Sequence, residues 1–201
     1  MEIGFEGLII IILIIIGVYF VHDYYTNEGL ILVKSDIDNQ EYKVQANIET
    51  LDDANDAKAA ANLMAEVRQR LEKLQSHLNK VWGGNDERVQ MLNKNFRPDR
   101  FQEGRNDIPG VTSYSVNKGE KIVLCTRNKN NKLVDINTIM YVSLHECAHL
   151  INKTVGHDTS FWVRFRELLE EAINIGIYVK QDFAENPVEY CNMTINSSPL
   201  D

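Results

Sequence analysis

The pentapeptide His145-Glu146-Cys147-Ala148-His149 has the residue types and spacing of a catalytic metal site. Because its two histidines are four residues apart, a helix would place both imidazoles on one face, where they can bind the same ion. Glu146 would lie beside that ion, within reach of a water molecule bound to it. The pattern therefore predicts a hydrolase with Zn²⁺ as cofactor, which cleaves peptide bonds through a zinc-bound water with Glu146 as general base.

A third protein ligand is needed, and the sequence offers two kinds. His157 follows His149 by eight positions, and Gly156 can adopt the positive φ that a reversal of the chain requires. The alternatives are carboxylates of the next predicted helix: Glu167, Glu170 and Glu171. We favour His157, because Arg164 and Arg166 stand at helical spacing from two of these glutamates and provide local partners for them.

The oxyanion that forms during peptide hydrolysis needs a second hydrogen-bond donor besides the metal. Tyr178 and Tyr190 lie downstream of the predicted helices and are candidates for this transition-state stabiliser. For each tyrosine, the interpretation as a packing residue of the C-terminal tail remains open.

Two predicted helices would position these side chains. The first starts at about Thr138, with Asp135 or Asn137 as its N-cap, and leads directly into the histidines. An apolar stripe opposite the histidines would face the core: Met140, Leu144, Cys147 and Ile151. The second helix begins after His157, with Asp158 or Thr159 as its cap and a broad apolar arc. Its apolar residues are Phe161, Trp162, Phe165, Leu168, Leu169, Ala172 and Ile173.

A β-hairpin is predicted at residues 111–127, directly before the first of these helices. Two β-rich segments flank a turn that contains Gly119. An exposed edge strand at this position could pair with an extended substrate and bring its peptide bond to the metal.

The N-terminal half has a simpler pattern. Weak strand signals at residues 30–33 and 42–46 precede a helix over residues 54–81, and a shorter helix runs to Phe96. The long helix carries a heptad stripe from Ala60 to Val81. We favour docking of this stripe on the helix's own domain, and a homodimer through residues 60–81 is the alternative. Residues 97–110, with two prolines and two glycines, are predicted to be a loop.

Residues 3–21 are almost entirely apolar and are long enough, at about 28 Å as a helix, to span a bilayer. They predict an uncleaved single-pass membrane anchor, with a signal peptide and a buried core helix as alternatives. The three cysteines include no CxxC pair and slightly favour a reducing, cytosolic side for the rest of the chain. The sequence does not otherwise indicate on which side of the membrane the rest of the chain lies. It also leaves one disulfide as an alternative.

The predicted fold class is α+β: an N-terminal transmembrane helix, a helical middle segment, and a compact zincin-like catalytic domain with a small sheet and the HExxH helix. The predicted boundaries are 1–25 for the anchor, 26–53 for juxtamembrane strands and linker, 54–110 for the helical segment and loop, and 111–201 for the catalytic domain. The net charge of −8 and the pI of about 5.2 argue against nucleic acid as a partner.

His145–His149 and the segment Gly156–Trp162 resemble the zincin-type metallopeptidases with a nearby third histidine, as in the WLM, SprT-like and YgjP-like families. The longer succession of apolar N-terminus, heptad helix, VNKGEKIVLC and HECAHL is similar to uncharacterised membrane-anchored, metallopeptidase-like proteins of large DNA viruses. The resemblance implies His145, His149 and His157 as zinc ligands and Glu146 as general base. The seven residues between His149 and His157 are a longer spacing than the WLM and YgjP-like patterns have.

These observations predict a membrane-anchored zinc metallopeptidase that acts on a protein or peptide substrate. One alternative, from another class, is a membrane-tethered interaction protein whose metal site is structural or inactive. A second alternative, by analogy with WLM and SprT-like enzymes, is a protease for DNA–protein crosslinks. The predicted anchor and the negative net charge argue against the crosslink protease.

Overall fold

The computed structural model describes residues 5–27, 29–45, 51–106 and 112–201, in two compact units, Met1–Leu30 and Ile31–Asp201. The first unit contains one helix, α1 (Phe5–Asn27). Its large apolar side chains between Leu8 and Val18 are exposed. The second unit contains the remaining helices and the residues of the predicted metal site.

The predicted transmembrane anchor at residues 3–21 is wrong. Among the residues that the structure describes, no helix is both long enough and apolar enough to cross a membrane. The predicted single-pass membrane localisation and the predicted membrane contact are therefore wrong as well. Residues 1–4, where the predicted anchor begins, lie outside the described residues.

A five-stranded sheet forms one layer of the second unit, in the order β1-β2-β3-β5-β4. Its strands are β1 (Leu30–Lys34), β2 (Glu41–Gln45), β3 (Phe101–Glu103), β4 (Tyr114–Val116) and β5 (Lys121–Leu124). β3 is parallel to both β2 and β5, whereas β4 is antiparallel to β5 with Ser115 opposite Ile122. The predicted strands before the long helix and the predicted hairpin are therefore confirmed, and β4 is the edge strand nearest the metal-site helix.

β3 was not predicted, because its charged and proline-containing surroundings are typical of a loop. In the structure Glu103 is fully buried, and its carboxylate accepts hydrogen bonds from Arg127 Nε at 2.8 Å and the Gln45 backbone N–H at 2.5 Å. Burial raises the pKa of Glu103, an effect that the charge of Arg127 opposes. This ion pair satisfies a carboxylate inside the sheet, so a strand forms where composition alone suggests a surface loop.

The same unit contains four helices: α2 (Leu51–Val81), α3 (Glu87–Asn95), α4 (Ile136–Ile151) and α5 (Thr159–Asn174). Helices α2 and α4 pack against the sheet, and α3 and α5 pack against these two helices. All four correspond to predicted helices. The heptad stripe of α2 is buried in its own unit from Ala60 to Leu78, and of the predicted stripe only Val81 is exposed, at 51%. The stripe is thus docked as we favoured, and the structure gives no support to a homodimer through residues 60–81.

The C-terminal tail contains a second, two-stranded sheet that the sequence did not reveal. β6 (Val188–Tyr190) pairs antiparallel with β7 (Met193–Ile195). Cys191 lies in the turn between them and forms a disulfide with Cys125, which follows β5 directly. Both cysteines are buried, and the third cysteine, Cys147, is a buried free thiol. The tail hairpin is thereby bonded covalently to the main sheet.

Candidate metal centre

Helix α4 carries the HExxH residues and is held in place by its N-cap and its buried face. Its N-cap is Asp135, whose carboxylate accepts hydrogen bonds from the Asn137 backbone N–H at 2.7 Å and the Thr138 hydroxyl at 2.6 Å. The predicted core stripe from Met140 to Ile151 is buried, which fixes the rotation of the helix. The opposite face therefore presents His145 and His149 one turn apart, as the spacing predicts.

A hydrogen-bonded reversal of the chain brings His157 close to His145 and His149. Gly156 has φ of 89°, in the left-handed region, as the sequence predicts for a turn at this point. Asp158 caps α5 by accepting the Phe161 backbone N–H at 2.9 Å, and its other carboxylate oxygen accepts the Thr154 hydroxyl at 2.8 Å. On the other side, Lys118 Nζ donates to the Asn152 carbonyl at 2.8 Å, which satisfies the C-cap residue of α4.

The three histidine side chains converge at their Nε2 atoms. His157 Nε2 lies 3.0 Å from His145 Nε2 and 3.1 Å from His149 Nε2. In a tetrahedral zinc site with Zn–N bonds of about 2.0–2.1 Å, ligand nitrogens are separated by about 3.3 Å. The observed separations fit one such ion with little adjustment, and the three residues form a potential metal-binding group.

The electrostatics of the cluster favour neutral imidazoles, which is the form that binds metal. Burial, and then the neighbouring His149 and His157, lower the pKa of His145 to about 3. Burial, and then His157 and Lys118, lower the pKa of His149 to about 4. Neutral imidazole nitrogens such as those of His145 and His149 are suited to bind a cation.

Helix α5 supports all three ligands through one aromatic ring. The ring of Phe161 lies 4.8 Å from that of His145, 4.4 Å from that of His149 and 4.6 Å from that of His157, measured between centroids. Phe161 is fully buried. The imidazoles are therefore restrained on their core side by packing as well as by their own backbone.

The three glutamates considered as alternative ligands have other partners in the structure. Glu167 is 2.8 Å from Arg164 and 3.0 Å from Arg88. Glu170 pairs with Arg166 at 2.9 Å, and Glu171 lies 2.7 Å from His77 Nε2. Each carboxylate thus forms an ion pair or hydrogen bond away from the histidine cluster.

Glu146 lies in an apolar setting beside the cluster. Its side chain is 5% exposed, and burial raises its pKa to about 7, an effect that hydrogen bonds from the Ser115 hydroxyl and backbone N–H oppose. Because the Ser115 N–H points to Glu146, the backbone of Ser115 faces away from β5. Ser113 lies just before β4, and its hydroxyl accepts a hydrogen bond from the Cys125 backbone N–H at 2.8 Å. Edge strand β4 therefore borders the candidate catalytic carboxylate.

The two candidate tyrosines lie in different places. Tyr190 lines a cavity together with His145 and Glu146, and its hydroxyl is 2.6 Å from the Ser113 hydroxyl. Tyr178 instead packs near Tyr141, with ring centroids 6.2 Å apart, and among the described residues its hydroxyl has no hydrogen-bond partner. Only Tyr190 is brought to the histidine cluster.

Sequence reasoning missed several side chains of the site. Ser113 and Ser115 alternate along β4 and so share a side, a signal that was present in the predicted hairpin. The cavity-lining residues of the tail, including Met193 and Ile195, had no such signal, because the segment lacks a recognisable period.

Comparison with known proteins gives the following matches. Residues 43–189 match the WLM domain. The chain is 30% identical over 196 residues to the uncharacterised protein R325 of Acanthamoeba polyphaga mimivirus, across 96% of this chain and 95% of that protein. It is 35% identical over 86 residues to the uncharacterised protein 136R of Invertebrate iridescent virus 6, across 41% of this chain and 46% of that protein. The crystal structure of a Wss1 mutant from Saccharomyces cerevisiae has a TM-score of 0.45 at 24% identity, and covers 60% of this chain and 82% of that chain.

Proposed function

The chain belongs to the WLM domain family, and from that premise we propose that it is a zinc-dependent metallopeptidase acting on protein or peptide substrates. The observation that carries the proposal is the convergence of three histidine Nε2 atoms beside the buried carboxylate of Glu146. Three neutral ligands on one side of an ion leave room for a reactant on the other, which is the arrangement of catalytic rather than structural zinc sites.

His145, His149 and His157 would hold the ion, which when bound supplies a Lewis acid that polarises the substrate carbonyl and acidifies water. Glu146 takes the proton of the attacking water as general base and passes it to the amine that leaves. The hydroxyl and backbone N–H of Ser115 keep the Glu146 carboxylate oriented towards the edge of β4. Proton transfer therefore takes place between β4 and the histidine cluster.

The substrate would be bound as an extended strand along β4. This strand is at the edge of the sheet, and the backbone of its residue Ser115 faces away from β5. Addition of a strand to such an edge uses main-chain hydrogen bonds, which every peptide can make. The peptide bond that passes Ser115 is then the one nearest Glu146.

Tyr190 is the proposed second donor to the oxyanion. Its ring is buried and its hydroxyl is held by the Ser113 hydroxyl at 2.6 Å, at the wall of the cavity that also contains His145 and Glu146. A donor that is already fixed loses little entropy in the transition state, so it stabilises the developing charge effectively.

A direct test is digestion of an unfolded protein mixture, with products identified by mass spectrometry. We expect new peptide termini with the zinc-loaded protein, none after removal of metal by a chelator, and recovery when one equivalent of zinc is returned. Products that persist at full yield without metal would contradict a metallopeptidase. A protein that binds zinc but yields no products would support the alternative of an interaction protein with a structural metal site.

A further inference from the structure

A cavity of about 190 Å³ lies beside His145 and Glu146. Helix α4, Trp162 of α5 and the tail hairpin β6–β7 form its walls. Six large apolar or aromatic side chains line it: Tyr141, Val142, Trp162, Tyr190, Met193 and Ile195. For comparison, a cavity of about 150 Å³ lined by apolar side chains accommodates benzene.

The polar groups of the wall are largely engaged with one another. The Tyr141 hydroxyl donates to the Ser197 carbonyl at 2.9 Å, and the hydroxyls of Tyr190 and Ser113 form a hydrogen bond of 2.6 Å. Among the described residues that line the cavity, Glu146 is the only carboxylate, and there is no lysine or arginine. A guest would therefore gain from burial of apolar surface, whereas an acidic guest would find no cationic partner to offset its loss of hydration.

Two geometric arguments identify which part of a substrate enters the cavity. First, the amine that receives the proton from Glu146 belongs to the residue on the C-terminal side of the cleaved bond, so the side chain of that residue is the nearest to the Glu146 end of the cavity. Second, a substrate paired antiparallel to β4 runs opposite to the direction Ser113→Ser115. Its C-terminal part then lies beside Thr112 and Ser113, which line the cavity. Both arguments place the same residue there.

We propose that this cavity binds the side chain immediately C-terminal to the cleaved bond and selects large apolar side chains, such as those of phenylalanine, leucine and methionine. The inference rests on the proposed peptidase function and names the substrate class of that site. The Cys125–Cys191 disulfide joins the turn of the tail hairpin to the end of β5, so the wall formed by Met193 and Ile195 is fixed to the sheet that binds the substrate.

The test uses a series of peptides that differ only at this position, with phenylalanine, leucine, alanine or glutamate. Zinc-loaded wild-type protein should cleave the phenylalanine and leucine peptides with kcat/KM at least about tenfold above the alanine peptide, since burial of a large apolar side chain supplies that difference. The glutamate peptide should be the poorest substrate.

Val142→Phe fills the cavity from helix α4 and should remove the preference for large side chains while cleavage of the alanine peptide continues. Val179→Phe is the matched control, because Val179 is 69% exposed and does not line the cavity. Equal cleavage of the phenylalanine and alanine peptides by the wild type, or a preference that survives Val142→Phe, would show that the cavity does not select the substrate side chain, and would leave the peptidase function untouched.

A binding measurement separates failure of the pocket from failure of the peptidase. The chain has two tryptophans, Trp82 and Trp162, so in a Trp82→Phe background the fluorescence of Trp162 reports occupancy of the cavity. With Glu146→Gln to prevent turnover, the phenylalanine peptide should bind at least about fivefold more tightly than the alanine peptide, and Val142→Phe should abolish the difference. If no peptide is cleaved but this difference in affinity is present, the cavity binds the side chain as proposed and the peptidase function is contradicted. Equal affinities for the two peptides would contradict the proposed binding of the side chain in the cavity.

Discussion

His157 Nε2 lies 3.0 Å from His145 Nε2, although the two residues are twelve positions apart and on opposite sides of a chain reversal. The segment between them ends α4, turns at Gly156 and begins α5 at a capped N-terminus. A buried phenylalanine, Phe161, packs against both rings. Imidazole nitrogens that converge in this way, with a buried carboxylate beside them, are the basis of the proposed chemistry.

Replacement of His157 by alanine should remove most of the bound zinc. Two histidines with additional waters bind zinc far more weakly than three histidines, because each protein ligand is held in place before binding. Metal content per protein, measured by mass spectrometry after dialysis, should fall from about one to near zero. Glu167→Ala, Glu170→Ala and Glu171→Ala should each retain one zinc, since their carboxylates are bonded to arginine or His77. Loss of zinc in a glutamate variant, with retention in His157→Ala, would assign the third ligand to that glutamate.

The positions of the three candidate histidines could be predicted more completely than the surroundings of the site. The four-residue spacing of His145 and His149 and the buried stripe opposite them follow from helical geometry, which a single sequence displays directly. The reversal at Gly156 and the cap at Asp158 were also predicted, because each depends on one residue type with a known local preference.

The missed features depend on contacts between distant residues. β3 is a strand because Glu103 meets Arg127 and the sheet supplies parallel partners on both sides, and none of this is encoded in the composition of residues 97–110. The tail hairpin is likewise held by Cys125, 66 positions from Cys191. The predicted membrane anchor at the N-terminal apolar run is wrong for a different reason, because that prediction rested on composition alone.

Asp158→Ala should destabilise the start of α5 and weaken zinc binding together. Its carboxylate caps the helix and also holds Thr154 in the reversal, so its loss frees the backbone next to His157. Loss of an N-cap of this kind lowers the free energy of unfolding, because a backbone N–H at the start of the helix loses its acceptor. Thermal unfolding of the metal-free protein and zinc titration should both show the effect, and Asp158→Ser, which can still cap, should recover most of the stability. An unchanged zinc affinity in Asp158→Ala would show that the cap does not position His157.

Tyr190→Phe should lower kcat by up to about 10²-fold with little change in KM, because a donor to the oxyanion acts in the transition state. Tyr178→Phe should leave kcat within about twofold, since its hydroxyl lies outside the cavity and has no hydrogen-bond partner among the described residues. Steady-state kinetics on one peptide substrate compares the two. Equal effects of both substitutions would indicate that these rings contribute to packing alone.

Reduction of the Cys125–Cys191 disulfide by a dithiol should lower the free energy of unfolding by about 2–4 kcal/mol, because the cross-link closes a long loop of the unfolded chain. Denaturant unfolding with and without reductant measures the difference. The Cys125→Ser, Cys191→Ser double variant should match the reduced protein and should not respond to reductant. A wild-type protein whose stability is insensitive to reductant would show that the two cysteines are not bonded in solution.

The central claim is tested most directly by measuring both the zinc content and the peptide turnover of Glu146→Gln and of the wild type. Glutamine is close to glutamate in size and cannot accept the proton, and Glu146 is not one of the three converging nitrogen ligands. We predict that the variant retains one zinc per protein while kcat falls by at least about 10²-fold, in line with the contribution of a general base. Unchanged turnover in a Glu146→Gln variant that still holds its zinc would contradict the account.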